Sequence, residues 1–224
     1  MPVQFTTDLL PINQGEIHLP VVILVDISDS MIGDPIAELN RGLTEFGIAL
    51  GEDSLAMGRT EVCIISFNSS IQTEMEFRPA EQYQAPVLSA GGGASLNAAI
   101  EAGLDAIENR KRIYKSYGIR YYRPWLFVLT AGVPTDRYKE GMTMSRLKNA
   151  IENKKVVYIP MGIGPNADIK KLQGYYPETA REKTVLKVEN FEEVFAWGRE
   201  IQRSPSTPIE ITLSDLPAGI TIES

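Results

Sequence analysis

The chain has 224 residues, 43% hydrophobic and 23% charged, with a formal net charge of −7. That length suits one large α/β domain with additions, and the composition leaves room for a sizeable core. An acidic chain with no basic stripe is a poor match for nucleic acid, and no apolar run approaches the length of a membrane span, so neither is expected as a partner. The single cysteine, Cys63, lies in an apolar run and reads as a small buried hydrophobe. The single histidine, His18, precedes the first strand, and its peripheral place argues against a zinc site or a histidine-dependent triad. Met1–Asp8 lacks the charged start and apolar core of a signal peptide, which makes the cytoplasm the expected compartment.

Strand-like and helix-like segments alternate. Val21–Asp26 is a near-continuous apolar run, as in a central strand covered on both faces. Asp34-Pro35 opens a helix whose Ile36, Leu39, Leu43, Phe46 and Leu50 recur at helical spacing. Glu61–Phe67 is the next strand, and Asn68-Ser69-Ser70 turns it into Ile71–Phe77 as an antiparallel edge hairpin. After Gly91-Gly92-Gly93, Leu96, Ile100, Leu104 and Ile107 define a second long helix, with Arg110, Lys111, Arg112 and Lys115 as its solvated end. Trp125–Thr130 and Val156–Met161 are strands flanking a helical stretch over Met142–Asn153. Val185–Val188 reads as a short strand, and Phe191, Val194, Phe195 and Ile201 suggest a closing helix. The pattern predicts a doubly wound α/β fold, a mostly parallel sheet of six strands with one antiparallel edge strand and helices on both faces. Residues 1–203 form the domain. Residues 204–224 form a tail, apolar enough around Ile209–Leu213 to pack back on the domain or offer a strand to a partner.

Three motifs carry the chemistry. Asp26, Ser28 and Ser30 form D-x-S-x-S at the carboxyl end of the first strand, where open α/β sheets place their ligands. One carboxylate and two hydroxyls are hard oxygen donors of the kind Mg²⁺ accepts. Gly91–Ile100 is a glycine-rich loop entering a helix, and Trp125–Asp136 is a strand ending in T-A-G-V-P-T-D. In this order and spacing the three resemble the metal-ion-dependent adhesion site of von Willebrand factor A domains, over residues 20 to 165. Leu19-Pro20-Val21, Gly33-Asp34-Pro35-Ile36, Pro124-Trp125 and Pro134-Thr135-Asp136 resemble the bacterial tellurium-resistance-associated (TerY-like) subfamily.

The resemblance implies a non-enzymatic intracellular interaction module, working beside a kinase and a phosphatase in a stress-response or signalling system. It places partner contacts at Asp29, Met31, Gly92, Gly93, Ser95, Val133 and Asp136. Two ligand positions depart from the family pattern. Its threonine falls at Ala94 and its second aspartate at Ala131, and neither side chain can coordinate a cation. Val133 restores no charge, Ser95 at the helix start is expected to cap backbone donors, and Asp136 reaches the site only if its loop folds back. The expected result is a degenerate site with no cofactor, or Mg²⁺ or Mn²⁺ held weakly.

The competing reading keeps a Mg²⁺-dependent switch on Asp26, Ser28 and Ser30. A P-loop would need Lys-Ser or Lys-Thr after Gly93, and a dinucleotide fingerprint would need its glycines directly after the first strand. A hydrolase would need a base near Ser28 or Ser30. Asp26 and Asp29 point to opposite faces, and Asp168, Glu178 and Glu182 form no constellation with them. Of the aromatics, Trp125 reads as core. Tyr114, Tyr117, Tyr121 and Tyr122 pave the approach to the strand or form an adhesive patch, and Tyr175-Tyr176 adds exposed rings.

Overall fold

The computed structural model describes residues 17–52, 54–131, 133–163, 167–180, 185–188 and 220–223. Its strands are β1 (Leu19–Asp26), β2 (Thr60–Phe67), β3 (Ile71–Pro79), β4 (Trp125–Thr130), β5 (Val157–Ile163), β6 (Val185–Val188) and β7 (Ile220–Glu223). They form one sheet in the order β3-β2-β1-β4-β5-β6-β7. The first five make a mixed sheet in which only β2 and β3 are antiparallel. The sheet differs from the expected six strands with one antiparallel edge. Ile220–Glu223 adds a seventh strand, antiparallel to β6, at the opposite edge. The closing helix expected at Phe191–Ile201 and the apolar stretch Ile209–Leu213 lie outside the described residues.

Each long helix follows from an apolar stripe. In α1 (Asp34–Glu52), Leu39, Leu43, Phe46 and Leu50 are buried and Ile36 is partly so. They pack with Val21, Ile23 and Val25 on one face of the sheet. The alternate β1 residues Val22 and Leu24 face the other side, against Leu96, Ile100, Leu104 and Ile107 of α3 (Leu96–Ser116). Gly103 lets α3 come close, since a Cβ there would sit 2.8 Å from a Leu126 methyl and 3.2 Å from a Leu24 methyl. Leu147 of α4 (Glu140–Glu152) and Leu172 of α5 (Ile169–Gln173) join the same core. A short α2 (Ser54–Arg59) leads into β2. No helix among the described residues is long and apolar enough to cross a membrane.

Several charged and aromatic groups sit deeper than expected. Arg110 is part of the core rather than of a solvated helix end. It is buried against Glu61, whose Oε2 accepts from its Nε at 2.9 Å, and its guanidinium lies over the rings of Phe77 and Tyr114. Tyr114 is also fully buried and donates its hydroxyl to Glu61. His18 is not peripheral either: it is buried beside Tyr114, while its backbone N–H bonds Arg120 and its carbonyl accepts from Tyr122. Tyr175 is buried and Tyr176 mostly so, both packed on Tyr158, so neither is an exposed ring. Trp125 is core, as read from the sequence, and Tyr117 is exposed.

Two outcomes follow. Arg110→Met would leave the Glu61 carboxylate buried without its counter-charge and lower stability by about 3–5 kcal/mol, measurable by urea unfolding. Burial, reinforced by Glu76 and only partly offset by Arg110, pushes the Cys63 thiol far above its ordinary range. Cys63 should therefore resist thiol reagents at neutral pH in the folded protein and react promptly once the chain is unfolded.

Candidate functional site

The strand order reverses at β1, which pairs in parallel with β2 on one side and β4 on the other. Crevices form at the carboxyl ends of strands at such a switch point. Pairing of Val25 with Leu129 brings Asp26 and Thr130 side by side, and Thr130 Oγ1 donates to Asp26 Oδ2 at 2.5 Å. Asp26 Oδ1 accepts from the Ser28 N–H at 2.8 Å. Ser28 Oγ and Ser30 Oγ lie 2.9 Å apart, with Ser28 buried and Ser30 exposed. The three motif residues are thus together. Thr130, which the sequence offered only as a strand end, joins them.

Asp29, Ser30 and Met31 form a 3₁₀ turn after Ser28. The turn drives Met31 fully into the core against the α1 face, so its side chain cannot serve the partner contact expected of it. Asp29 is exposed and turns its carboxylate to the glycine loop, where Oδ1 accepts from the Gly92 N–H at 2.7 Å. Its own N–H donates to the Gly92 carbonyl at 2.8 Å. Gly92 has φ +89°, and a Cβ there would meet Ser69 Oγ at 2.9 Å, so the loop requires glycine at this position.

The neighbouring amides are also engaged: Gly91 N–H donates to Ile27 O, Gly93 N–H to Ser69 Oγ and Ser95 N–H to Asn68 O, each at 2.8 Å. With all three glycine N–H groups bonded within the protein, the loop is not an anion cradle.

Asp136 folds back, though toward α3 and not toward the serines. Its Oδ2 accepts from Ala98 N–H at 2.8 Å, and its Oδ1 accepts from Asn97 N–H at 3.2 Å and from Asn97 Nδ2 at 3.0 Å. Asn97 Oδ1 accepts in turn from the Tyr175 hydroxyl at 2.7 Å. The cap expected of Ser95 is therefore supplied by an acid 38 and 39 residues further on, and Ser95 makes no side-chain capping bond. Asp168 caps α5 through the Lys171 N–H.

The motif resemblance read from the sequence implies a divalent cation between these loops. Against a tightly held dication stand the donors themselves. Asp26 is the one carboxylate, and both its oxygens already accept protein hydrogen bonds. The two serine hydroxyls bond each other. Ala94 and Ala131, both buried, contribute only methyl groups here. A single formal charge is thin compensation for a dication whose affinity grows with ligand charge. These residues do not fit such an ion well. His18 sits before the start of β1 and the serines beyond its end, about 25 Å away at strand spacing, so it is out of reach as their base.

The von Willebrand factor type A domain model matches residues 21–197. This chain belongs to that family. Its fold is similar to the pilus adhesin SpaC of Lactobacillus rhamnosus GG in an open conformation, at 13% identity and TM-score 0.64, covering 84% of this chain and 30% of that one. It is similar to the manganese-loaded TRAP protein of Plasmodium vivax, at 18% identity and TM-score 0.56, covering 80% and 71%. It is also similar to proximal thread matrix protein 1 of the mussel byssus with a zinc-occupied MIDAS motif, at 11% identity and TM-score 0.55, covering 84% and 45%. The chain spans less than half the length of SpaC and of the byssus protein. No curated protein sequence matches it.

Asp136→Ala should cost about 2 kcal/mol by stripping the first turn of α3 of its acceptor and leaving Asn97 short of a partner. Asp136→Asn should recover part of that loss, and equilibrium denaturation of the two variants checks both values.

Proposed function

We propose that this chain is a non-enzymatic, intracellular interaction module. It binds a protein partner through the loops at the carboxyl ends of its strands, with metal dependence weakened or lost. The observation that carries the reading is the rim itself. Gly92 and Ser30 are exposed above the buried Asp26, and Ile32 (61% exposed) and Val133 (45% exposed) are large apolar residues on loops leaving β1 and β4. Exposed apolar side chains beside polar groups are what interaction surfaces offer. Domains of this family act in general as interaction and adhesion modules, which supports the same reading.

The TerY-like motif pieces favour a bacterial stress-response or phosphorylation-linked system, and a kinase and phosphatase pair as the partners. Asp29, Gly92, Gly93, Ser95, Val133 and the loop held by Asp136 are the contact set. The second reading is a Mg²⁺-dependent switch. It rests on the grouping of Asp26, Ser28 and Ser30 and on the metal-loaded state of the TRAP and byssus structures.

Calorimetry separates the two. Mg²⁺ and Mn²⁺ should give little or no heat with the chain or with Asp26→Ala. Restoring Ala94→Thr with Ala131→Asp should create binding on the order of tenfold tighter or more. Heat from the unaltered chain that vanishes with Asp26→Ala would favour the switch. Partner docking is read separately: a photocrosslinker at position 133 should capture a kinase or phosphatase that the same group at the exposed position 117 does not. Equal capture from both positions would sink the rim reading.

A further inference from the structure

The loops around Asp26 hold one another directly. Gly91 bonds Ile27, Asp29 and Gly92 exchange two bonds, Asn68 Nδ2 donates to Gly91 O at 2.8 Å, and Gly93 takes Ser69. On the far side Thr135 donates to the Ala94 carbonyl through its N–H at 2.8 Å and its hydroxyl at 3.1 Å, and Asp136 clamps the start of α3. A cation between the three loops would join the same segments through oxygen ligands. Here Asp29, the residue between the two serines, supplies a charge-assisted link of its own from the β1 loop to the glycine loop, a bond stronger than a neutral one.

We propose that Asp29 is the positioning residue of this rim. Its carboxylate, seated on the Gly92 amide, takes over from a divalent ion the task of fixing the glycine loop against the β1 loop, so the binding surface is formed permanently and without cation control. The inference rests on the reading of the rim as the interaction surface and adds how that surface is kept in shape. It assigns the role to an exposed side chain whose loss leaves the core intact. The bond that Asp29 makes is local, so removing it should open the loop without unfolding the domain.

The test is amide hydrogen exchange on the full chain, followed residue by residue by NMR. Asp29→Ala should speed exchange at Gly92 about tenfold or more, while amides in β1 and β4 keep their protection. Asp29→Asn retains an oxygen acceptor and should restore most of the protection at Gly92. Excess EDTA, and separately excess Mg²⁺, should leave exchange at Gly91, Gly92 and Gly93 unchanged in the unaltered chain.

Faster exchange at these glycines on EDTA treatment would overturn the proposal, because an ion would then be holding the loop. Unchanged Gly92 protection in Asp29→Ala would overturn it equally. Should Asp29→Ala fail to fold, the EDTA arm still decides. Either failure leaves the interaction reading standing or falling on its own crosslinking result.

Discussion

The top of this domain depends on β1 having parallel neighbours on both edges and helices on both faces. A strand in that position has no solvent-facing side along its length, so every side chain from Val21 to Val25 is apolar and buried. The first residue that can carry chemistry is the one where the strand leaves the sheet. Asp26 is that residue, and the reversal of strand order at β1 opens the space above it. The register of β4 then delivers Thr130 to the same carboxylate. What is built there depends on three loops that the sheet brings together from distant parts of the sequence.

In this chain those loops are joined by hydrogen bonds among themselves. The arrangement consumes the donors of the glycine loop and both oxygens of Asp26, leaving few uncommitted groups in the floor of the crevice. Family membership sets the scaffold. In the reading proposed above, the two alanines and Asp29 set how this member uses it. On that reading, a rim that is already bonded offers a partner its shape, exposed serines such as Ser30 and apolar side chains such as Ile32 and Val133, and asks little rearrangement of itself on binding.

Much of this was legible in the sequence because it was written in contiguous runs. The strand Trp125–Thr130, the faces of α1 and α3 and the hairpin at Asn68–Ser70 all follow from apolar spacing and turn chemistry. What escaped was encoded by residues far apart. Asp136 caps a helix that begins 40 residues earlier, so a serine at the expected cap position was the natural but mistaken choice. Met31 looked like part of an exposed loop because nothing local reveals that a 3₁₀ turn will rotate it inward. Arg110 left a readable trace: it lies three residues after Ile107 and four before Tyr114, on the same buried face of α3, and the strand facing that helix contains the acid Glu61. A paired reading of the two elements would have placed the charge inside.

That buried pair bears on how β2 finds its place. β2 is apolar on both faces, so its hydrophobic pattern alone does little to distinguish one alignment of the strand from the next. Glu61 shares its face with Cys63, Ile65 and Phe67, the residues packed against α3, while Val62 and Ile64 look toward α1. A slip of one residue would turn Glu61 to the α1 side, away from Arg110 and the Tyr114 hydroxyl, and strand a charge in an oily layer. One acid thus acts as an alignment mark on an otherwise ambiguous strand. The misaligned sheet is penalised by the solvation of a single carboxylate, whatever the remaining apolar contacts would allow.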